Sequence, residues 1–570
     1  MPSKSFLGRV TAIRAIPIGA ISALLIVAAT IALGQGPPNP GSTDNVVHVD
    51  GNKYPFTSAG IQAAIKAACT GNVPGKVMLP AESITSISDR IRVSESNCTI
   101  EGRGKNASTL QASSTFPSGG ILVVGGSHVN LLNFGVDGFR SSGNTKEVDC
   151  IDIGSNSTNT RVEGVRAHDC LNQGLVIAGG DGDIVVTKSE FDRNGSGNIS
   201  STATGGIAVS PGDANINAIQ IGPGNLVHDN NQGIRVANPT SATKIVSGVH
   251  VIENEVFSNA NDAIAFLGTT AGGGQISHFS ATGNHVYCNG YMASGWAVRF
   301  PQCKAGLLQG GSINSGGGVG IDVIQNSDEL TVYGLISGNR CSNNTFECVA
   351  LSGNYNARAN VSGTSVSWVS GPKFNTSWKT GQTVCLGPGV RTCLYKIASV
   401  QSDTSLTLQT RAKDGSSEIF NGPGSMYTTV TQNEVLNDGS ENGGPVGPGF
   451  FCQFSDHNTY KGNVAKNNYM EGFNAFDCSF TSYDGDQAIG NGVSRVSGRT
   501  SGFASWGSMG NSYSNILSED RGGSPTQEVG LQLDSNTSET KVVESQLSGS
   551  KSGYSDVGAH NAYQKPTHPR

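Results

Sequence analysis

The chain has 570 residues, a formal net charge of −6, 78 glycines, 21 prolines, and only 14% charged and 6% aromatic residues. Gly, Ser, Asn, Thr and Val predominate, which favours turns and strands and argues against an ordinary α/β enzyme. A hydrophobic share of 36% is low for a compact globule and suits a solenoid, and the lack of a Lys/Arg run beyond the extreme N-terminus argues against nucleic acid as a partner.

Lys4, Arg9 and Arg14 precede an apolar run from Ala15 to Leu33, and Ala32-Leu33-Gly34 places small residues at the spacing of a cleavage site. Residues 1–34 are therefore expected to be a signal peptide, with an uncleaved membrane anchor as the alternative. The protein is expected to be secreted, extracellular or on the cell surface (or periplasmic), with no membrane association beyond this export signal. The 12 cysteines agree with export. They fall in neighbouring pairs: Cys69/Cys98, Cys150/Cys170, Cys288/Cys303, Cys341/Cys348, Cys385/Cys393 and Cys452/Cys478. Sequential disulfides are expected, although spacing alone leaves other connectivities open.

Residues 35–118 are expected to hold an N-terminal cap and the first coils. Ser58 is placed to cap a helix through Gly60–Ala68, whose apolar residues have helical spacing. Short strands follow at Lys76–Leu79, Ile91–Val93 and Cys98–Glu101. Residues 119–560 carry the repeat. A strand of the form G-φ-x-φ recurs at Gly174, Gly206, Gly233, Ala263, Gly320, Cys348, Gly449, Gly472, Gly502 and Gly530, with earlier copies from Ile121 and Cys150. Interleaved with it is N-x-φ-x-x-N, from Asn225, Asn254, Asn284, Asn339 and Asn463, with a variant at Asn433. Each φ-x-φ strand sends two side chains inward and one outward, and only stacked coils bury the inward ones. Asn at a fixed place in each coil can bond to the coils on either side. The fold class expected is all-β: a right-handed parallel β-helix solenoid with a capping helix. Residues 561–570 are expected to be a disordered tail.

The helix, a strand ending in Leu79-Pro80, and the turn Ile100-Glu101-Gly102-Arg103-Gly104 together resemble the first coils of the pectate-lyase-like (pectin lyase fold) β-helix superfamily. Three strands are similar to pieces of the polygalacturonase family: Val148–Ile153, Gln232–Val236 and Asn261–Phe266. Their order along the chain differs, however, and Asp149 and Asp262 lie about four coils apart, too far for an acid/base pair. The superfamily resemblance implies an acidic, uronate-containing polysaccharide as partner. A lyase reading implies an Arg or Lys base and possible Ca2+ held by carboxylates.

Two insertions interrupt the coils. The first, about Gly290 to Gly318, carries Trp296, Arg299 and Lys304. The second, 357–427, reads as a small antiparallel β module, with Trp368 and Trp378 more readily its core than a sugar platform. Loops on one side of a solenoid commonly build its binding wall. The outward strand positions, in stacking order, are Asp152, Val176, Ala208, Arg235, Ala265, Asp322, Ala350, Phe451, Asn474, Ala504 and Gln532. Arg235, Asp262 and Asp322 are the candidate catalytic residues, and Trp296, Arg299, Lys304 and Asp152 the candidate substrate-binding residues. The expected function is a polysaccharide lyase or glycoside hydrolase; the alternative is a non-catalytic surface or adhesion β-helix that binds glycan or a protein partner.

Overall fold

The computed structural model describes residues 45–564 apart from 140–145, 196–204, 269–273, 291–320, 326–330, 354–356, 388–393, 521–524 and scattered single positions. Among the described residues the chain winds through three parallel sheets, one of 19 strands and two of 14. Consecutive coils supply neighbouring strands, each returning to its sheet after visiting the other two, and such parallel crossovers are right-handed. The fold is a right-handed parallel β-helix.

Alternation fills the interior. In the second sheet the inward residues Ile151, Leu175, Ile207, Ile234, Ile264, Val349, Phe450, Phe473, Phe503 and Leu531 are each at most 1% exposed. Towards the C-terminal end the filling becomes aromatic. Phe450, Phe473 and Phe503 stack at 4.6 and 4.7 Å, and Tyr460, Tyr483 and Tyr513 at 4.9 and 4.7 Å. Large rings need no extra room here because the coil spacing, roughly 4.8 Å, suits offset ring stacking.

The two Asn of each N-x-φ-x-x-N unit feed two separate buried ladders. In one, the side-chain amides of Asn225, Asn254, Asn284, Asn339, Asn433 and Asn463 each donate to the next coil's side-chain oxygen, at 2.8–3.0 Å, ending on Asp486. In the other, Asn194, Asn230, Asn259 and Asn289 do the same as far as Asn344, which donates to Asp438 at 3.3 Å. The Asp438 backbone N–H donates to Asn468 Oδ1, and Asn468 to Asn491.

The helix spans Ser58–Ala68 and buries Ile61, Ala64, Ile65 and Ala68 over the first coil. Its N-cap is Thr57, whose hydroxyl accepts from Gly60 N–H, and not Ser58. The Ser58 hydroxyl is taken by the Ser88 and Asp89 N–H groups. Coils begin before residue 119: Asn45–His48 already pairs with Gly75–Met78, and Ile91–Val93 with the strand from Gly119. They also continue into the expected tail, where Ala562–Gln564 pairs with Lys541–Val543. These end strands are too short to show a period. Cys69–Cys98, Cys150–Cys170, Cys341–Cys348 and Cys452–Cys478 are disulfides. Cys288 and Cys385 are also disulfide-bonded, and their expected partners Cys303 and Cys393 lie outside the described residues, as do residues 1–34. No helix among the described residues is long and apolar enough to cross a membrane.

Within the second insertion, six strands between Ala357 and Asn421 close a small antiparallel barrel. Trp378 is 4% exposed in its core, against Phe374 and Phe420, and Trp368 packs partly buried beside it.

Among the described residues, Asp438 is the one ladder position where a carboxylic acid stands between two asparagines. Burial pushes its carboxyl up to about 8, against the two hydrogen bonds from Asn344 and with a further push from Glu347. An unfolded aspartate titrates near ~3.9. The folded state therefore holds its proton while the unfolded chain releases it, and stability falls as pH rises across that window. Asp438→Asn should leave the melting temperature nearly unchanged at pH 4 and raise it by a few degrees at pH 9. Circular dichroism melts at the two pH values check this; an equal shift at both contradicts it.

Candidate functional site

The ten pairings from Asp152 to Gln532 join the expected outward positions into one continuous ladder on the second sheet. Arg235 stands on it between Ala208 and Ala265, and Asp322 between Ala265 and Ala350. The Asp322 side chain, and the whole of Trp296, Arg299 and Lys304, lie outside the described residues. Asp152 is several coils away, its carboxyl raised by burial and lowered by Arg90 and Arg92.

A second row runs beside this ladder, at the residue two before each strand's first inward side chain. Asp262 occupies it before Ile264, Glu347 before Val349 and Glu471 before Phe473. The row is anchored by the backbone: Asp262 C=O accepts from Gly233 N–H, and Glu471 C=O from Gly449 N–H. Asp262 and Glu347 are separated by one intervening coil, so their backbones lie roughly 10 Å apart at ~4.8 Å per coil. The same holds for Glu347 and Glu471. Asp149 belongs to this row too, four coils before Asp262, where it accepts from Asn172 and the Gln173 N–H.

All three carboxylates are buried. Asp262 and Glu347 are each 8% exposed, and Glu471 is 0% exposed. Burial and, after it, the negative charge of Asp262 push the Glu347 carboxyl up to about 7, against its own backbone N–H and Arg499. Burial also raises Glu471, and Arg499 opposes it with Nη1 3.3 Å from Oε1. Arg499 thus acts on two members of the row. Arg235 is half-buried, its Nε has no hydrogen-bond partner, and burial lowers its pKa.

Two structures flank this strip. On the side where the strands begin, the loop around the hairpin Ser440–Glu441/Gly444–Pro445 presses on Glu347, since a Cβ on Gly447 would lie 2.5 Å from Glu347 Oε1. On the side where they end stands the inserted barrel, with Cys385 against Phe454 and Phe476 and Lys396 Nζ 4.6 Å above the Phe480 ring. Between them the outward floor is Ala350, Phe451, Asn474 and Ala504.

A different charged cluster lies on the third sheet. Arg166 grips Asp192 with two bonds at 2.8 Å, and burial of His228 is outweighed by Asp229 and Glu190, which raise it to about 9. Asp137, His168 and Asp169 bring three ligand atoms within 4.8 Å of one another. The Arg193 guanidinium already occupies that place, 2.6 Å from Asp169 and 3.2 Å from His168 Nδ1. This network is closed on itself.

No protein-family model and no curated protein matches the chain. Solved structures similar to it include the tailspike protein of Dettilon, 14% identical over 91% of this chain and 68% of that chain, with a TM-score of 0.42. A tailspike protein of the E. coli bacteriophage HK620, solved with a pentasaccharide, is 12% identical over 88% and 74%, with a TM-score of 0.47. The mannuronan C-5 epimerase A-module of Azotobacter vinelandii is 10% identical over 92% and 98%, with a TM-score of 0.34.

Of the three expected catalytic residues, Asp262 joins the buried row, Arg235 lies one coil before it, and Asp322 is placed by its backbone alone. Glu347 and Glu471 were missed because an acid at a turn reads as solvated charge until its burial is known. Both were legible as acids at the Asp262 position. Arg499 was not, since it lies in an irregular stretch without a repeat.

Breaking the Arg499–Glu471 pair should be costly. Arg499→Met removes the charge that offsets burial, so the Glu471 carboxyl rises further and stability is lost as pH climbs above ~4.3, where the unfolded glutamate ionises. About 3–5 kcal/mol is expected for an uncompensated buried charge. Urea unfolding at pH 8 should show it, with a smaller loss at pH 5 and recovery in the Arg499→Met/Glu471→Gln double variant.

Proposed function

We propose that the protein is an exported polysaccharide-degrading β-helix, a glycoside hydrolase working along the outer face of its second sheet. The observation that carries this is Glu347: a buried carboxyl held near 7 beside a second carboxylate, Asp262, separated from it by one coil. A general acid must hold its proton at working pH, and burial plus a neighbouring negative charge achieve that. Asp262 is its partner, the base that activates water. Roughly 10 Å between backbones brings the two carboxyl groups within side-chain reach of the ~6.5–9.5 Å separation used in inverting hydrolysis. Arg235, one coil from Asp262, favours an acidic, uronate-containing glycan, because its buried Nε lacks a partner. The site is deep, so the loop carrying Gly447 has to lift for a polymer to reach Glu347.

β-Elimination is a second reading, favoured by Arg235 itself. A guanidinium whose pKa burial lowers approaches what a lyase base needs. The products separate the two readings. Hydrolysis yields new reducing ends without an unsaturated chromophore; elimination yields both.

With pectate and alginate as substrates, Glu347→Gln and Asp262→Asn should each lower kcat at least 100-fold, within the range for loss of a general acid or base, while leaving the circular dichroism spectrum unchanged. Wild-type kcat should fall as pH rises through about 7, because Glu347 must remain protonated. Silence of the wild type in both readouts, with glycan binding intact, would instead support a non-catalytic adhesin.

A further inference from the structure

Glu471 and Asn474 lie three residues apart, on the turn and the first outward position of the strand Phe473–Phe476. They are 0% and 2% exposed, yet neither carboxylate oxygen of Glu471 and neither atom of the Asn474 amide completes a hydrogen bond. Arg499 neutralises Glu471 as an ion pair, and the Asn474 amide lies beside the same carboxylate, helping to keep it ionised. Buried polar groups are almost always satisfied, so several atoms without a well-formed hydrogen bond in one short stretch mark a place that a ligand completes.

The neighbours define that ligand. On the outward ladder Asn474 stands between Phe451, a half-buried ring, and Ala504, which is small. An aromatic face takes the C–H face of a pyranose. An amide offers both donor and acceptor, and a carboxylate accepts only, so together they match adjacent hydroxyls, each of which donates and accepts. We propose that Phe451, Glu471 and Asn474, on the two coils that follow that of Glu347, form a sugar subsite that binds the adjacent hydroxyl groups of a pyranose. The inference rests on the glycan reading above and adds an orientation: the polymer lies along the solenoid axis, its charged group towards Arg235 and its hydroxyl-bound sugar towards Asn474.

The test uses the full chain carrying Glu347→Gln, so that probes are not cleaved, with short galacturonate and mannuronate oligosaccharides titrated by calorimetry. Asn474→Leu in this background should weaken binding roughly tenfold, the equivalent of one or two lost hydrogen bonds. Phe451→Ser, at a half-buried position, should weaken binding without Asn474 being touched. Unchanged affinity in both variants overturns the subsite. Failure of the Glu347→Gln protein to bind any probe overturns the glycan reading itself.

Discussion

Everything in this protein depends on one repeated hydrogen bond, the donation of a buried asparagine amide to the same residue in the next coil. Backbone pairing alone holds parallel strands together but leaves their register weakly specified where turns vary in length. The two Asn ladders remove that freedom. An amide has one oxygen and two N–H bonds, enough to receive from one neighbouring coil while donating to the other and to a backbone carbonyl, as Asn254 does with Asn225, Asn284 and Ile221. A coil displaced by one residue would break both ladders and turn its inward side chains to water.

Register is what makes the site. Asp262 and Glu347 are 85 positions apart in the chain, and Glu347 and Glu471 a further 124, yet each pair is separated by a single intervening coil. Long insertions cost little because each leaves and returns at a turn, where the ladder holds the chain on both sides. The barrel between Ala357 and Asn421 is the clearest case: Asn339 donates to Asn433 across it at 2.9 Å, as though nothing intervened. A solenoid can thus stack acidic side chains from remote segments at a regular spacing. It can also bury them together, which a flat surface cannot, and burial is what lifts Glu347 into the range useful for proton donation.

Much of this was legible in the residues. The G-φ-x-φ and N-x-φ-x-x-N units determined the solenoid, the order of its outward ladder and the existence of the internal asparagine rows. The reason is physical: a period in sequence is the only way a chain can present the same inward face at every turn. Gly and Pro punctuation likewise marked the inserted module, whose short apolar runs can bury themselves only by closing on one another. The first and last strands, Asn45–His48 and Ala562–Gln564, were not legible because they are too short to carry a period.

The site was decided in three dimensions. Asp262 was singled out from the sequence, but its partners were not, because acids at a turn look like solvated charge until burial is known. Arg499 shows why most clearly. It belongs to no repeat, and its role follows only from the irregular segment that carries it back against Glu471. The sequence by itself determined a stack of coils, since periodicity is a local property that survives in one dimension. Which side chains are desolvated together, and which therefore hold a proton or lack a partner, depends on contacts between distant coils, loops and insertions, and only the tertiary structure decided it.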